Sequence, residues 1–365
     1  MSLVPPYIKS LIPYQAGRSA EEIRREYGVS RVVKLASNEN PMGPSPKAIE
    51  RLQTVLDDAH LYPNGGLKLR QVLAQRFDVK LENVVVGSGS EAIMSNIIRA
   101  FLLDDEEVLT AEGTFLGFYV LARSRGVSLR TVPLKNYRFD LEAMADAIHE
   151  KTKIIYLANP NNPTGTIFTR AEFERFMRRV PARTLVILDD AYFEYAQENP
   201  DYPDSMQYRL DNVITLRTFS KAYGLAGLRI GYGFAHEELC ENVRKVKLPF
   251  EPSVVAEAAG LGALDDHAFL ETTLDVNRRG KRFLAQAFQE LGPSFPLTDA
   301  NFFMTVHSSE DEALSLYESL LHQGVIVRPL RAFGLPHCLR VTIGTPDQNE
   351  FLLESLRESL SVVHS

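Results

Sequence analysis

The sequence is short of the features that mark several classes of protein. Among 365 residues there are two cysteines, Cys240 and Cys338, far apart and outside any CxxC pair. That argues against a disulfide framework or a cysteine-built zinc site, so no metal is expected, and a reducing compartment fits. No apolar run approaches the ~18 residues that a membrane span needs. The opening MSLVPPYIKSLIPY lacks the apolar core of a secretory signal. A soluble, cytoplasmic protein is the expectation, with no membrane partner. Basic residues are in deficit as well. Lys and Arg number 40 against 47 Asp and Glu, for a net charge of −7 and a pI of about 5.7. A nucleic-acid binder would show a basic stripe, and none is present. Internal repeats and low-complexity segments are missing too.

What remains is an ordinary globular composition, 45% hydrophobic and 24% charged. The length suits one large domain and a smaller one. Up to about residue 45 the chain is irregular and proline-punctuated, with Pro5, Pro6, Pro13, Pro41 and Pro44. It reads as an arm lying over a surface. Pro46 then opens an amphipathic helix, PKAIERLQTVLDDA. From about residue 80, short apolar runs alternate with helix-period stretches. The runs are 84–86, 107–111, 128–132, 154–158, 184–188, 213–216 and 229–234. Such alternation means an α/β domain with a mostly parallel seven-stranded sheet. The connection near 222–228 is too short for a helical crossover, so one strand should be antiparallel. After Pro252, long helices and isolated strands at 301–307 and 339–343 read as a second, α+β unit. The expected division is 1–45 arm, packing with the small domain and a partner subunit, 46–250 large domain and 251–365 small domain.

In an open parallel sheet, ligands gather at the carboxyl ends of the strands. Four polar or glycine-bearing segments follow strand ends here: GSGSE (from Gly87), NPNNPTG (from Asn159), DDAYFEY (from Asp189) and TFSKAYGLAGLR (from Thr218). Read singly, each is ordinary. GSGSE lacks the third glycine of a dinucleotide-binding loop, yet leaves backbone N–H groups and Ser90 at a helix start, where a phosphate binds readily. NPNNPTG is a turn, but its prolines stiffen it and Asn162 carries a donor. Asp189 ends an apolar strand, where a buried carboxylate needs a cation to answer it. Lys221 lies among small and aromatic neighbours rather than on a charged face, and a lysine so placed sheds its proton and attacks carbonyls. Arg229 offers a two-pronged fork for a phosphate. Together they meet the needs of pyridoxal 5′-phosphate (PLP): a lysine for the aldehyde, an acid for the ring nitrogen, donors for the phenolate oxygen, a flat side chain for the ring face, and a helix end with an arginine for the phosphate.

The segments ASNENPMGPSP, YPNGG, NPNNPTG, DDAYFEY, TLRTFSKAYGLAGLRIGY and LRVTIGT, in this order over nearly the whole chain, resemble the histidinol-phosphate aminotransferase family, which is related to aspartate aminotransferase. The resemblance implies an α/β fold-type-I PLP transferase that shuttles an amino group between histidinol phosphate and 2-oxoglutarate in histidine biosynthesis. It implies that Lys221 carries the cofactor and moves the substrate's α-proton. Asp189 pairs with the ring nitrogen. Tyr192 and Asn162 bind the phenolate oxygen. Gly89, Ser90, Thr218, Ser220 and Arg229 hold the phosphate, and Glu91 is a further residue of the cofactor site. Phe115 stacks on the ring, with Phe118 as the alternative. Tyr62 reaches the cofactor phosphate of a neighbouring subunit, so the enzyme is a homodimer with shared sites. Tyr14, Asn38, Asn162, Arg328 and Arg340 face the substrate, the two arginines taking its anionic groups. Departures from the family pattern are Ser88, Glu91 and Ala92 in GSGSEA where GNGSDE is usual, DDAY for DEAY, PYQAG for PYQPG, and AEGTF for the usual PPTF or APTF. Two other functions stay open on the residues: an aromatic amino acid aminotransferase of the same family, and another PLP protein, either a decarboxylase or a binding domain that has lost catalysis.

Overall fold

A computed structural model describes residues 3–13 and 17–363. The expected arm is more ordered than its prolines suggest. Residues Ala20–Tyr27 form a helix closed by a capping box between Ser19 and Glu22, and Ile23 is fully buried. Strand β1 (Val33–Lys34) then pairs in parallel with residues Val325 and Ile326. So this part of the arm is core rather than surface covering. Its pairing partner lies some three hundred residues away, beyond the reach of any local pattern.

Seven strands build the main sheet: β2 (Val84–Gly87), β3 (Glu107–Ala111), β4 (Ser128–Val132), β5 (Thr152–Ala158), β6 (Leu185–Asp189), β7 (Val213–Thr218) and β8 (Gly231–Phe234). Their spatial order is β2-β8-β7-β6-β5-β3-β4. Only β8 runs antiparallel to its neighbours in this sheet, as the short connection before it predicts. The central strands are buried, Lys153 near the start of β5 apart, because helices cover both faces. One apolar cluster joins Val108, Ile155, Ile187 and Ile214 to Phe118, Phe173 and Phe176. Another joins Leu69, Phe219 and Tyr232 to Ala256 and Ala259.

That second cluster bears on the expected division at 250/251. Helix Val254–Leu264 packs on helix Pro46–Gln53, and a Cβ on Gly262 would lie 2.3 Å from the Lys47 carbonyl oxygen. Only glycine allows this approach. The packing therefore keeps residues up to Leu264 with the large unit, and helix His267–Leu291 leads away from it. The smaller unit holds β9 (Phe302–Val306), β10 (Val325–Ile326), β11 (Arg328–Pro329) and β12 (Cys338–Thr342), followed by helix Pro346–Val363. β11, β12 and β9 form an antiparallel sheet in that order, while β10 pairs with β1. Arg229, expected in a strand, instead has φ 52° and stands just before β8. That left-handed turn returns its side chain to the end of β7.

Candidate active site

The carboxyl ends of β5, β6 and β7 face one cavity of about 510 Å³. Its walls include Ser90, Glu91, Phe115, Asn162, Asp189, Tyr192, Thr218, Ser220, Lys221, Arg229, Arg328 and Arg340, together with Asn38 from the arm. Residues scattered from 38 to 340 thus meet where an open α/β sheet binds its ligands.

After β5, the three asparagines divide their work. Asn159 holds the loop through both main-chain groups of Phe168, at 3.0 and 3.4 Å. Asn161 is buried and committed to Gly113, Thr114 and Thr164. These two fix the loop so that Asn162 faces the cavity, where its Oδ1 accepts from Arg340 Nη1.

At the end of β6 stands Asp189, 5% exposed. Tyr156 donates to its Oδ2 at 2.6 Å. Its Oδ1 is buried and meets no hydrogen-bond donor among the described residues. Burial pushes this carboxyl up to about 6; the Tyr156 hydroxyl, the Ala191 N–H and Lys221 pull the other way, and Glu91 adds to the rise. A buried carboxylate with one oxygen unanswered calls for a cationic or N–H partner within the cavity, and a protonated pyridine nitrogen is such a group.

Lys221 follows β7 and is half-buried. Its Nζ donates to the Ser37 carbonyl at 3.2 Å and lies 5.8 Å from the centre of the Tyr192 ring. Burial, then Arg340 and Arg229, lower its pKa to about 8, against the opposing pull of Glu39 and Asp189. A substantial neutral fraction near physiological pH makes this amine a nucleophile. Tyr192 is buried, and its hydroxyl accepts from Asn38 Nδ2 at 2.9 Å. Burial raises the phenol's pKa, while Arg340 and the Asn38 amide hold it down.

The opposite end of the cavity is built for an anion. Helix Ser90–Phe101 begins at Gly89, whose φ is 83°, and the N–H groups of its first turn lack helical acceptors. A Cβ on Gly89 would lie 2.7 Å from Arg229 Nη2, so the glycine lets the guanidinium lie against the helix start. A second glycine, Gly231, lets β8 pass the Ser90 N–H, where a Cβ would sit at 2.3 Å. Ser220 Oγ accepts from Thr218 at 3.0 Å and from Arg229 at 3.5 Å. Hydroxyls, helix amides and one arginine are groups of the kind that can hold a phosphate. Glu91 also borders them, 3.6 Å from Arg229.

The other expected residues fall as follows. Phe115 caps the helix Leu116–Ser124 and lines the cavity. Phe118, its alternative, stacks on Tyr156 with ring centres 4.0 Å apart, fully buried under the sheet. Asn38 borders the cavity, but its side chain is already bonded to Tyr192 and Thr342. Tyr62 lies outside the cavity, 80% exposed, and stacks on Phe250. Tyr14 lies outside the described residues. Arg328 and Arg340 are register partners on β11 and β12. Arg340 also donates to the Ala36 carbonyl at 2.7 Å and lies near the faces of Phe302 and Phe333. Arg328 reaches a larger, outer cavity of about 1440 Å³ as well.

Sequence reasoning missed the carbonyls of Ala36 and Ser37, the Thr342 hydroxyl and Tyr156. Tyr156 did leave a signal. It is the one polar tip in the apolar run IIYLA, and a buried tyrosine hydroxyl must find a partner. Among the described residues no group of His, Cys, Asp and Glu is arranged to hold a metal ion, and no helix is long and apolar enough to cross a membrane.

The aminotransferase class I and II family matches residues 30–356 of the chain. The chain is 42% identical to a histidinol-phosphate aminotransferase of Anaeromyxobacter sp., with 98% of each chain covered. It is also 42% identical to one of Moorella thermoacetica, over 97% of this chain and 92% of that one. Among solved structures, histidinol-phosphate aminotransferase from Sinorhizobium meliloti in complex with pyridoxal-5′-phosphate superposes with a TM-score of 0.88 at 26% identity. That match covers 100% of this chain and 99% of the other.

Proposed function

Since the chain belongs to the class I and II aminotransferases, we propose that it uses PLP to move an amino group between histidinol phosphate, the substrate that its relatives' names give, and 2-oxoglutarate. The observation that carries the substrate reading is the placement of Arg328 and Arg340 directly opposite one another, both on the wall of the cavity that holds Lys221. Two guanidiniums suit a dianionic phosphate, and one of them suffices for a carboxylate.

When bound, PLP supplies an aldehyde for the amino group and a ring that takes up the electrons released with the α-proton. The chain's own groups do the rest. Lys221 would hold the aldehyde between turnovers, and its Nζ, kept largely able to shed a proton, takes the α-proton from the amino donor. Asp189 would hold the ring nitrogen through Oδ1, the oxygen that has no protein partner. Tyr192 and Asn162 would serve the phenolate oxygen, and Phe115 the ring face. Ser90, Thr218, Ser220, Arg229 and the amides after Gly89 would take the phosphate. Arg340 orients the carboxylate of glutamate or 2-oxoglutarate, braced by Asn162 and the Ala36 carbonyl.

A homodimer completes this reading. Tyr62 does not line its own cavity, and it lies with Leu61, Leu248 and Phe250 among the exposed large apolar residues. Such a surface favours burial against a second copy, where Tyr62 would reach the neighbour's cofactor phosphate. A cytoplasmic location fits a soluble biosynthetic enzyme with two free, buried cysteines. The test is an initial-rate study with histidinol phosphate and 2-oxoglutarate both varied. Parallel double-reciprocal lines are expected, since one binding site must serve two acids in turn. Intersecting lines, or carbon dioxide released from an amino acid, would refute transamination.

A further inference from the structure

Tyr156 sits on β5, fully buried, with its ring stacked on Phe118 at 4.0 Å and 10°. Phenylalanine would fill the same space without bringing a hydroxyl into an apolar layer, a burial that costs free energy unless the group is bonded. Among the described residues that hydroxyl makes one hydrogen bond, to Asp189 Oδ2 at 2.6 Å. The carboxylate therefore has one oxygen tied by the phenol and the other, Oδ1, buried without a donor, on a residue that lines the cavity.

We propose that Tyr156 is a positioning residue of the reaction: its phenol takes Oδ2 of Asp189 and thereby commits Oδ1 to the cofactor's ring nitrogen. The inference rests on the cofactor reading above. The phenol acts on charge as well as on direction. It donates to the ionised carboxylate, so it opposes the burial that pushes Asp189 up to about 6. Four titratable groups bear on that carboxylate: Tyr156, Tyr192, Lys221 and Glu91. Tyr156 stands first among those that favour the charged form. Without the hydroxyl, Asp189 becomes neutral over part of the physiological range and its plane is free to turn.

The experiment is an equilibrium titration of cofactor-free protein with PLP, between roughly pH 5 and 9, the span over which a carboxyl near 6 and an amine near 8 both titrate. It compares the unsubstituted protein, Tyr156→Phe, Asp189→Ala and the double variant. Tyr156→Phe should bind PLP about 10-fold or more weakly near neutrality, the loss of one hydrogen bond to a charged group. The acid limb of its profile should move up by about one pH unit. In the Asp189→Ala background the same substitution should change nothing, because the phenol acts only through that carboxylate. Titration of the cofactor's own phosphate is common to all four proteins and cancels in the ratios. An unshifted profile in Tyr156→Phe, or a loss that persists in the Asp189→Ala background, would overturn the proposal. If Asp189→Ala itself binds PLP normally, the cofactor reading falls first and the proposal with it. A replacement of Tyr156 by 3-fluorotyrosine keeps the ring and strengthens the donor, so folding is not at stake. It should move the acid limb downward, and an unmoved or raised limb contradicts the assignment.

Discussion

Asn38 donates its side-chain amide to the Tyr192 hydroxyl at 2.9 Å, across 154 residues of sequence. It belongs to a tripeptide that touches three residues of the cavity wall in succession. The Ala36 carbonyl accepts from Arg340, the Ser37 carbonyl from Lys221, and Asn38 serves Tyr192. The backbone of Asn38 is left-handed, with φ 56°, and its carbonyl accepts from Asn301. Asn38→Gly keeps that backbone and removes the amide, whereas Asn38→Ala also pays for the left-handed conformation. Both should lower kcat, by about 10-fold for one hydrogen bond lost at the reacting end. Only Asn38→Ala should show the larger drop in melting temperature. Equal melting temperatures would mean that the conformation carries no strain.

Lys221→Ala should abolish transamination, since no other amine among the described residues lines the cavity. Borohydride treatment of the unsubstituted holoenzyme should fix PLP on the peptide containing Lys221. A label on another lysine would remove Lys221 from its role.

Asp189→Asn should cut kcat by several orders of magnitude, because the ring nitrogen loses its counter-charge, a preorganised contact of ~3–5 kcal/mol. Its effect on stability should have the opposite sign. The carboxyl's pKa is raised from 3.8 to about 6 in the folded chain. Its contribution to stability is thus complete below pH 3.8 and is lost as pH rises through 6. The cofactor-free Asp189→Asn protein should therefore be more stable than the unsubstituted protein above pH 6, by about 3 kcal/mol at most, and no more stable near pH 4. Thermal melts at the two pH values check the sign. A variant less stable at high pH would show that the buried charge is already well compensated.

Phe115→Ala should weaken PLP binding by about 1–3 kcal/mol, the range of a lost aromatic stack, and leave the fold intact. Phe118→Ala should instead destabilise the chain by about 3–5 kcal/mol, because it empties a fully buried site under the sheet. Denaturant melts and PLP titrations on the two variants separate the roles, and a reversal of the two outcomes would exchange them.

The main sheet was legible because its strands are uninterrupted apolar runs set between helix-period stretches, and the antiparallel β8 was legible from the shortness of one loop. The site residues that follow strand ends were legible for the same reason: position after a strand is a local property. What the chain hid is non-local. β1 exists only because Val33 and Lys34 meet Val325 and Ile326. β11 is two residues long and one of them is proline, so Arg328 gave no strand signal, yet its register opposite Arg340 puts both arginines on the cavity wall. Helix Leu67–Arg76 carries charges between its leucines and has a weak apolar stripe, with Leu69 and Leu73 alone fully buried. Of Phe115 and Phe118, a single turn apart, the first lines the cavity and the second is buried against Tyr156, a difference that no local pattern carried.

The central claim is that this cavity is built for an amino donor that carries a phosphate. It is tested by kcat/KM for histidinol phosphate and for phenylalanine, each with 2-oxoglutarate as acceptor, in the unsubstituted enzyme and in Arg328→Ala. Histidinol phosphate should be preferred, and Arg328→Ala should lower its kcat/KM by about 10- to 150-fold, the loss of one charge-assisted contact of roughly 1.5–3 kcal/mol. Phenylalanine and glutamate should be little affected. A preference for phenylalanine, or an Arg328→Ala variant that loses phenylalanine while keeping histidinol phosphate, would contradict the account and make the chain an aromatic aminotransferase.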